Sequence, residues 1–276
     1  MPPAVTVIIP TYNWATVLPY SIASVLDQTF DDLELLVVGD GCTDESADVV
    51  ARIARSDARV RWINLSANTR SQSAPNNEGN AQACGEIIAY LGHDDLWFPD
   101  HLQAMATALE TADVAYSRAA LINPQYATAL SPVEPGQWVP PTIIGHRRGI
   151  RPSSSVWLTP DEAGIDPEIR LLSDFRAAGA LFAVIDRITA VKLPALYRKG
   201  VYQIRPHHEQ EHWLRRIRNE PDLAVNLRAR CVAYEKWVPR PTLPGLANVP
   251  LPPSEAFDWS QPGVLTVRRR FKGLAD

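Results

Sequence analysis

Apolar residues along the first 120 positions fall into short unbroken runs, separated by segments whose apolar positions recur at helical spacing. "VTVII" (5–9), "LELLVVG" (33–39), "VRWINL" (60–65), "EIIAYLG" (86–92) and "DVAYSRAA" (113–120) read as strands. "VLPYSIASVLDQ" (17–28), "DESADVVARIA" with Thr43 or Asp44 as its N-cap, and "PDHLQAMATALE" (99–110) with Pro99 near its first turn read as helices. The polar stretch "SANTRSQSAPNNEGN" (66–80) reads as a loop, followed by a short helix around Ala81. Strands that are apolar throughout and alternate with helices predict an α/β fold: a mostly parallel central sheet with helices on both faces. In such sheets ligands bind beyond the carboxyl ends of the strands, so Pro10–Asn13, Asp40–Asp44 and Gly92–Trp97 are expected to face one crevice.

From about Leu121 the texture changes, as prolines crowd residues 124–167 and 239–262; these stretches read as irregular cover. Between them stand strand-like "SSSVWL" (153–158), a helix across "PEIRLLSDFRAAG" ending at Gly179, the strand pair "LFAVI" and "ITAVKL", and the polar helix "HEQEHWLRRIRN" (208–219). The expected organisation is one domain over 1–276, with a ligand-binding half at 1–120 and a second, substrate-covering half at 121–276.

Composition narrows the class. At 276 residues and 46% hydrophobic, the chain can bury a full core. A net charge of −4 argues against nucleic acid as the main partner. The basic cluster "RRRFK" (268–272) reads as a solvated last helix, or else as a weak peripheral contact with an anionic membrane face. Cys42, Cys84 and Cys231 are odd in number and lack CxxC spacing, which suggests neither a disulfide framework nor a zinc site. With no basic leader and no run long enough to span a bilayer, a cytoplasmic location is expected.

Two motifs carry chemistry. "GDGCTD" (39–44) follows a strand and opens a helix, as a dinucleotide fingerprint does, but Asp44 stands at its third glycine position. A carboxylate there would compete with a pyrophosphate for the helix N–H groups, which disfavours a nicotinamide-dependent oxidoreductase. Asp40 is instead the candidate to accept hydrogen bonds from a base or ribose. "LGHDDLW" (91–97) sets two carboxylates at the end of an apolar run, where adjacent side chains of an extended chain point to opposite sides.

Together, "VTVIIPTYNWATVLPYSIASVLDQTFDDLELLVVGDGCTDES" and "SQSAPNNEGNAQACGEIIAYLGHDDLWFPDHL" resemble the nucleotide-binding half of family 2 glycosyltransferases, in a bacterial subgroup with "GHDD" where Asp-x-Asp-Asp is commoner. The resemblance covers about the first 115 residues. It implies a GT-A fold and a nucleoside-diphosphate sugar donor. Pro10, Thr11, Tyr12 and Asn13 are then placed around the base and ribose, Asp40 on the base, Arg70 over base or phosphate, and His93 at the ribose or pyrophosphate. Asp94 matches the acid that binds a divalent cation, Mn²⁺ or Mg²⁺, on the diphosphate; the motif's first acid is replaced by Gly92. One carboxylate suffices where substrate oxygens and water complete the coordination. A late histidine can complete such a site, which makes His207 or His208 a candidate ligand. Asp95 is expected to brace the loop or touch the sugar, and Trp97 to pack rather than stack on it.

Inverting transfer further requires a carboxylate to take the acceptor's proton. In the resembled family this acid starts a helix about a dozen residues before a glycine. Counting back from Gly179 gives Glu168, with Pro167 where a first acid is usual; Asp166 and Asp174 are the alternatives. The implied activity is hexosyl transfer, with a UDP-linked donor preferred, to a hydroxyl acceptor: a glycan, a lipid-linked sugar or a natural product. The replaced acids at Gly92 and Pro167 keep a second reading open, a catalytically silent module that binds nucleotide or glycan. A homodimer is compatible with either.

Overall fold

The computed structural model of the chain describes residues 2–123, 128–131, 133, 138–150, 157–195, 198 and 200–231. The proline-rich stretch 239–262, the basic cluster 268–272 and most of "SSSVWL" lie outside them.

The parallel core forms where the apolar runs predict it. Strands β1 (Val5–Thr11), β2 (Leu33–Gly39), β3 (Val60–Asn64) and β4 (Ile87–Tyr90) lie side by side in the order β3-β2-β1-β4, all parallel. Val7, Ile8, Ile9, Leu35, Leu36, Val37 and Val38 are fully buried, as continuous apolar strands covered on both faces require. Helices α1 (Leu18–Leu26) and α2 (Ser46–Ala54) follow the first two strands. No side chain caps α2 at Glu45; Asp44 instead accepts a hydrogen bond from Ser46 N (3.1 Å).

Helix α3 (Ser73–Gln82) occupies most of the stretch read as a loop. It has no apolar stripe because its buried face is polar and small: Asn80 bonds Tyr90 Oη (2.8 Å), Asn77 bonds Trp157 O (2.8 Å), and Gly79 lies against Ile8. A polar face can dock on a sheet where its buried groups find partners, as Asn77 and Asn80 do, although the side-chain amide of buried Asn76 has none among the described residues. The return to β4 is equally tight. A Cβ at Gly85 would lie 2.5 Å from Thr6 N and 2.6 Å from Val5 C, both backbone atoms that cannot swing away. Gly85→Ala is therefore expected to destabilise the fold by roughly 1–3 kcal/mol, read as a lowered urea midpoint at unchanged slope.

The second half extends the sheet. Short β5 (Leu96–Trp97) and helix α4 (His101–Ala108) lead to β6 (Val114–Leu121), on whose end β7 (Ala129–Leu130) pairs. The region read as irregular cover contains β8 (Ile144–Arg147), inserted between β4 and β6 and antiparallel to both. Four residues, one a glycine closed against Met105, are too short a run to signal a central strand. After α5 (Pro160–Ala163) and α6 (Pro167–Ala177), the predicted pair 181–193 is one strand, β9 (Phe182–Lys192), parallel to β6 with register shifts near Arg118. Its end pairs with β5, giving the order β3-β2-β1-β4-β8-β6-β9-β5. Helix α7 (Val201–Ile204) packs through Val201 and Tyr202 with Trp14 and Val17, while α8 (His208–Asn219) and α9 (Leu223–Arg230) cover the β5–β9 side; no described helix is long and apolar enough to cross a membrane.

Two reversals of direction, at β8 and again at β6, leave β6 and β9 pointing the same way as β1, β2 and β4. The carboxyl ends of six strands, β1 to β4, β6 and β9, thus share one edge. Because α6 runs back to feed the start of β9, its N-terminus returns to that edge as well.

Candidate functional site

Two loops at the carboxyl ends of β1 and β2 lock each other. Asn13, in the left-handed region at φ 55°, accepts bonds from Thr43 N (2.7 Å) and Asp44 N (3.2 Å), while Asp44 accepts from Ala15 N (3.0 Å). The Asn13 side chain thus serves loop geometry. Asn13 and Asp44 between them occupy the backbone donors of Thr43, Asp44 and Ser46 at the start of α2.

Asp40 is buried and holds the turn at 68–70: its carboxylate accepts from Thr69 N (3.0 Å), Thr69 Oγ1 (2.8 Å) and Arg70 N (3.1 Å). Arg70 itself is exposed, with a left-handed φ of 63° and its N–H shared with Asn68. Gly41, at φ +68°, lets this turn approach, since a Cβ there would lie 2.5 Å from the backbone of Ala67 and Asn68. Two residues beyond Arg70, Gln72 donates to Glu168 Oε1 (2.6 Å) from the start of α3. This bond joins the two halves of the chain across 96 residues.

Glu168 stands in the first turn of α6. Asp166 caps the helix by accepting from Glu168 N (3.1 Å), and Pro167 fills the first helical position, where a missing N–H costs nothing. The usual first acid is absent because that position serves the helix start. Glu168 is 6% exposed. Burial pushes its carboxyl well above the ordinary glutamate range, Asp166 adds to the rise, and the bond from Gln72 pulls against it. Asp174, nearly two turns further along α6, is paired with Arg170 (2.8 Å).

The acidic doublet divides. Asp95 is fully buried: Oδ1 accepts from Leu193 N (3.0 Å), and Oδ2 from Lys192 Nζ (2.7 Å) and from the Thr142 hydroxyl, which itself receives Gly92 N (3.2 Å). Burial pushes the Asp95 carboxyl up, and the Lys192 ammonium pulls it back; burial would lower Lys192, but Asp95 and Asp94 outweigh it and hold the ammonium above its ordinary value. Asp95 therefore braces the loop. Gly92 is a notch in the same place: a Cβ there would lie 2.7 Å from Asp95 Oδ2 and 3.4 Å from Asp94 Oδ1. Trp97 packs, stacked on His101 with centroids 4.1 Å apart and its Nε1 donating to Thr142 O (2.7 Å).

The Asp94 side chain, by contrast, accepts no bond from any described residue, while its carbonyl is held by Gln210 of α8 (3.2 Å). Beside it, His93 Nδ1 bonds Pro10 O (3.1 Å), and its ring lies 4.8 Å from Trp14 and edge-on to Tyr202. Burial raises the Tyr202 phenol, with Asp94 and Asp95 adding to the effect. The buried atoms left without a protein partner include Thr11 Oγ1, Trp14 Nε1, His93 Nε2 and Gln210 Oε1, which places four such groups on the elements that frame Asp94. Orphaned polar atoms gathered at one place suit a polar ligand.

An exposed-edge carboxylate free of protein donors suits a hard divalent cation that takes its remaining oxygens from substrate and water. Among the described residues no three His, Cys, Asp or Glu side chains are grouped for a metal. His208 lies exposed at the start of α8, and His207 stacks on Tyr20 at 6.0 Å; the side chain that α8 sends to the Asp94 loop is Gln210, which sequence reasoning did not single out. Lys192 was equally unannounced, the polar end of an apolar strand.

This mostly parallel sheet, with its crevice at the strand carboxyl ends, has the GT-A fold. The fold is that of S. aureus TarS 1–349 solved with UDP-GlcNAc (TM-score 0.58, 17% identity, covering 81% of this chain and 69% of that one). It is equally that of the mannosyltransferase PcManGT from Pyrobaculum calidifontis, solved with GDP-Man and Mn²⁺ (TM-score 0.56, 21% identity, 83% and 69% covered). Residues 6–134 match the family described as "Glycosyl transferase family 2". An uncharacterized glycosyltransferase of Nostoc sp. is 40% identical over 111 residues, 40% of this chain and 34% of that protein. The GalNAc(5)-diNAcBac-PP-undecaprenol beta-1,3-glucosyltransferase of Campylobacter jejuni is 31% identical over 118 residues, 42% and 36%. The matched stretches thus span about a third of these relatives.

Proposed function

We propose that this protein transfers a hexose, with inversion, from a nucleoside-diphosphate sugar, preferably UDP-linked, to a hydroxyl acceptor such as a glycan, a lipid-linked sugar or a natural product. The observation that carries the reading is the Gln72–Glu168 bond, which sets a buried carboxylate from the second half against the turn that Asp40 holds.

Residues 1–120 bind the donor in this reading and residues 121–276 the acceptor. Glu168 in its ionised form accepts the proton of the acceptor hydroxyl as that oxygen bonds to the anomeric carbon. The bond from that carbon to the diphosphate breaks on the opposite face, and the electron pair leaves with the nucleoside diphosphate. Asp94 would hold Mn²⁺ or Mg²⁺, which when bound offsets the charge gathering on the leaving diphosphate. Asp40, Thr11 and the turn at Arg70 frame the base, with His93 oriented by the Pro10 carbonyl.

Donor hydrolysis by the full chain, followed with UDP-sugars in Mn²⁺ and in EDTA, tests this; metal-dependent release of UDP is the expected result. The Gly92 notch favours one other reading, a silent nucleotide-binding module, because the first acid's space is taken by Asp95. Binding without release, for every common donor, would select it. Asp94→Ala is expected to reduce Mn²⁺-stimulated donor binding to the level seen in EDTA, measured by calorimetry. Undiminished stimulation would remove Asp94 from the metal site.

A further inference from the structure

The geometry points to Lys192 as a donor-binding residue: held by Asp95, its ammonium receives an oxygen of the nucleoside diphosphate beside the Asp94 site. The inference rests on the donor reading above and adds a contact to it.

Lys192 is the last residue of β9, in register with Leu121 of β6, so it stands at the same sheet edge as the Asp40 turn and the Gly92–Asp95 loop. Its side chain is 15% exposed. An ammonium carries three N–H donors. One is on Asp95 Oδ2 (2.7 Å), and no acceptor among the described residues takes either of the others. Nor is the lysine there only to neutralise the doublet, since its one ion pair among the described residues is with Asp95, whose carboxylate is already supplied by Leu193 N and Thr142. Two unused donors on a fixed cation, next to a carboxylate free of protein donors, match a doubly bridging anionic ligand. Lysine binds phosphate in this way, as a point charge.

Gly92 belongs to the same device. An acid at 92 would start 2.7 Å from the Asp95 oxygen that holds Lys192 and would compete for the ammonium. A glycine leaves that charge to the ligand. With no acid at 92 and an ammonium beside Asp94, diphosphate binding depends less on the cation in this reading.

Calorimetric titration of the full chain with UDP, GDP, UMP and uridine, in EDTA and in Mn²⁺, tests this. Lys192→Met is expected to weaken UDP about tenfold or more in EDTA and less in Mn²⁺, with uridine unchanged; Lys192→Arg should stay within a few-fold of wild type. Because Lys192→Met strands a buried carboxylate, the double variant Asp95→Asn/Lys192→Met serves as control. UDP binding that stays weak there supports the contact, and recovery to the wild-type value would mean that Lys192 only balances Asp95. Equal loss for uridine, or undiminished UDP binding, also overturns it. If the wild-type chain binds neither UDP nor GDP under either condition, the donor reading itself fails.

Discussion

Glu168→Gln is expected to lower turnover by about 10²–10⁴-fold, the range a positioned general base contributes, with donor affinity little changed. The amide keeps the size of the side chain, and its carbonyl still accepts from Gln72, so the site's shape survives the loss of basicity. A pH profile separates this role from a structural one. Burial raises the Glu168 carboxyl well above the ordinary glutamate range, so wild-type turnover should climb with pH through that raised value as the carboxylate forms. The same shift acts on stability with opposite sign. Between the ordinary and the raised value the folded chain holds a proton that the unfolded chain has released. Its contribution to stability is complete below the ordinary value and is lost as pH rises through the raised one. The glutamine variant should lack both the rising limb in turnover and this fall in urea stability. Near-normal turnover would move the base to Asp166, which caps α6, or to Asp174, which Arg170 holds.

The legible part of this site was the part written in local pattern. Unbroken runs such as "LELLVVG" predict β1 to β4 because a strand covered on both faces has no polar alternation to hide it, and strand ends then fix where Asp40 and Asp94 lie. Three features escaped for three different reasons. Helix α3 buries asparagines and a glycine in place of an apolar stripe, so periodicity is silent about it. Strand β8 is four residues long, and its place between β4 and β6 depends on partners some 30 and 60 residues away. Lys192 acquires its role only when β5 and β9 bring Asp95 to it across 97 positions. Glu168 was reached by resemblance; its burial and its bond to Gln72 are tertiary facts that no spacing contains. Gly92 changed meaning most. In sequence it marks a missing acid, and in three dimensions it marks the space that the Asp95 carboxylate occupies.

Asp95→Ala should cost roughly 3–5 kcal/mol of folding stability, the range for removing one partner of a buried ion pair. Its carboxylate is 0% exposed and is the acceptor for Lys192, Leu193 N and Thr142 together. Alanine leaves the ammonium without its counter-charge and the Leu193 N–H without an acceptor, and it opens a void beside Gly92. Asparagine keeps one oxygen for these donors and should cost less. Urea unfolding at constant slope measures both, and the cycle with Lys192→Met isolates the coupling between the pair. The neighbouring acid supplies the contrast. Asp94 accepts no side-chain bond from the described residues, so Asp94→Ala should leave stability within about 0.5 kcal/mol, the usual range for a position away from such networks, while Mn²⁺ stimulation is lost. Two adjacent aspartates of one motif then fail in opposite ways, one in folding and one in ligand binding. Equal destabilisation by both substitutions would mean that the doublet acts as a single structural unit, and it would return the cation's place to residues elsewhere on the sheet edge.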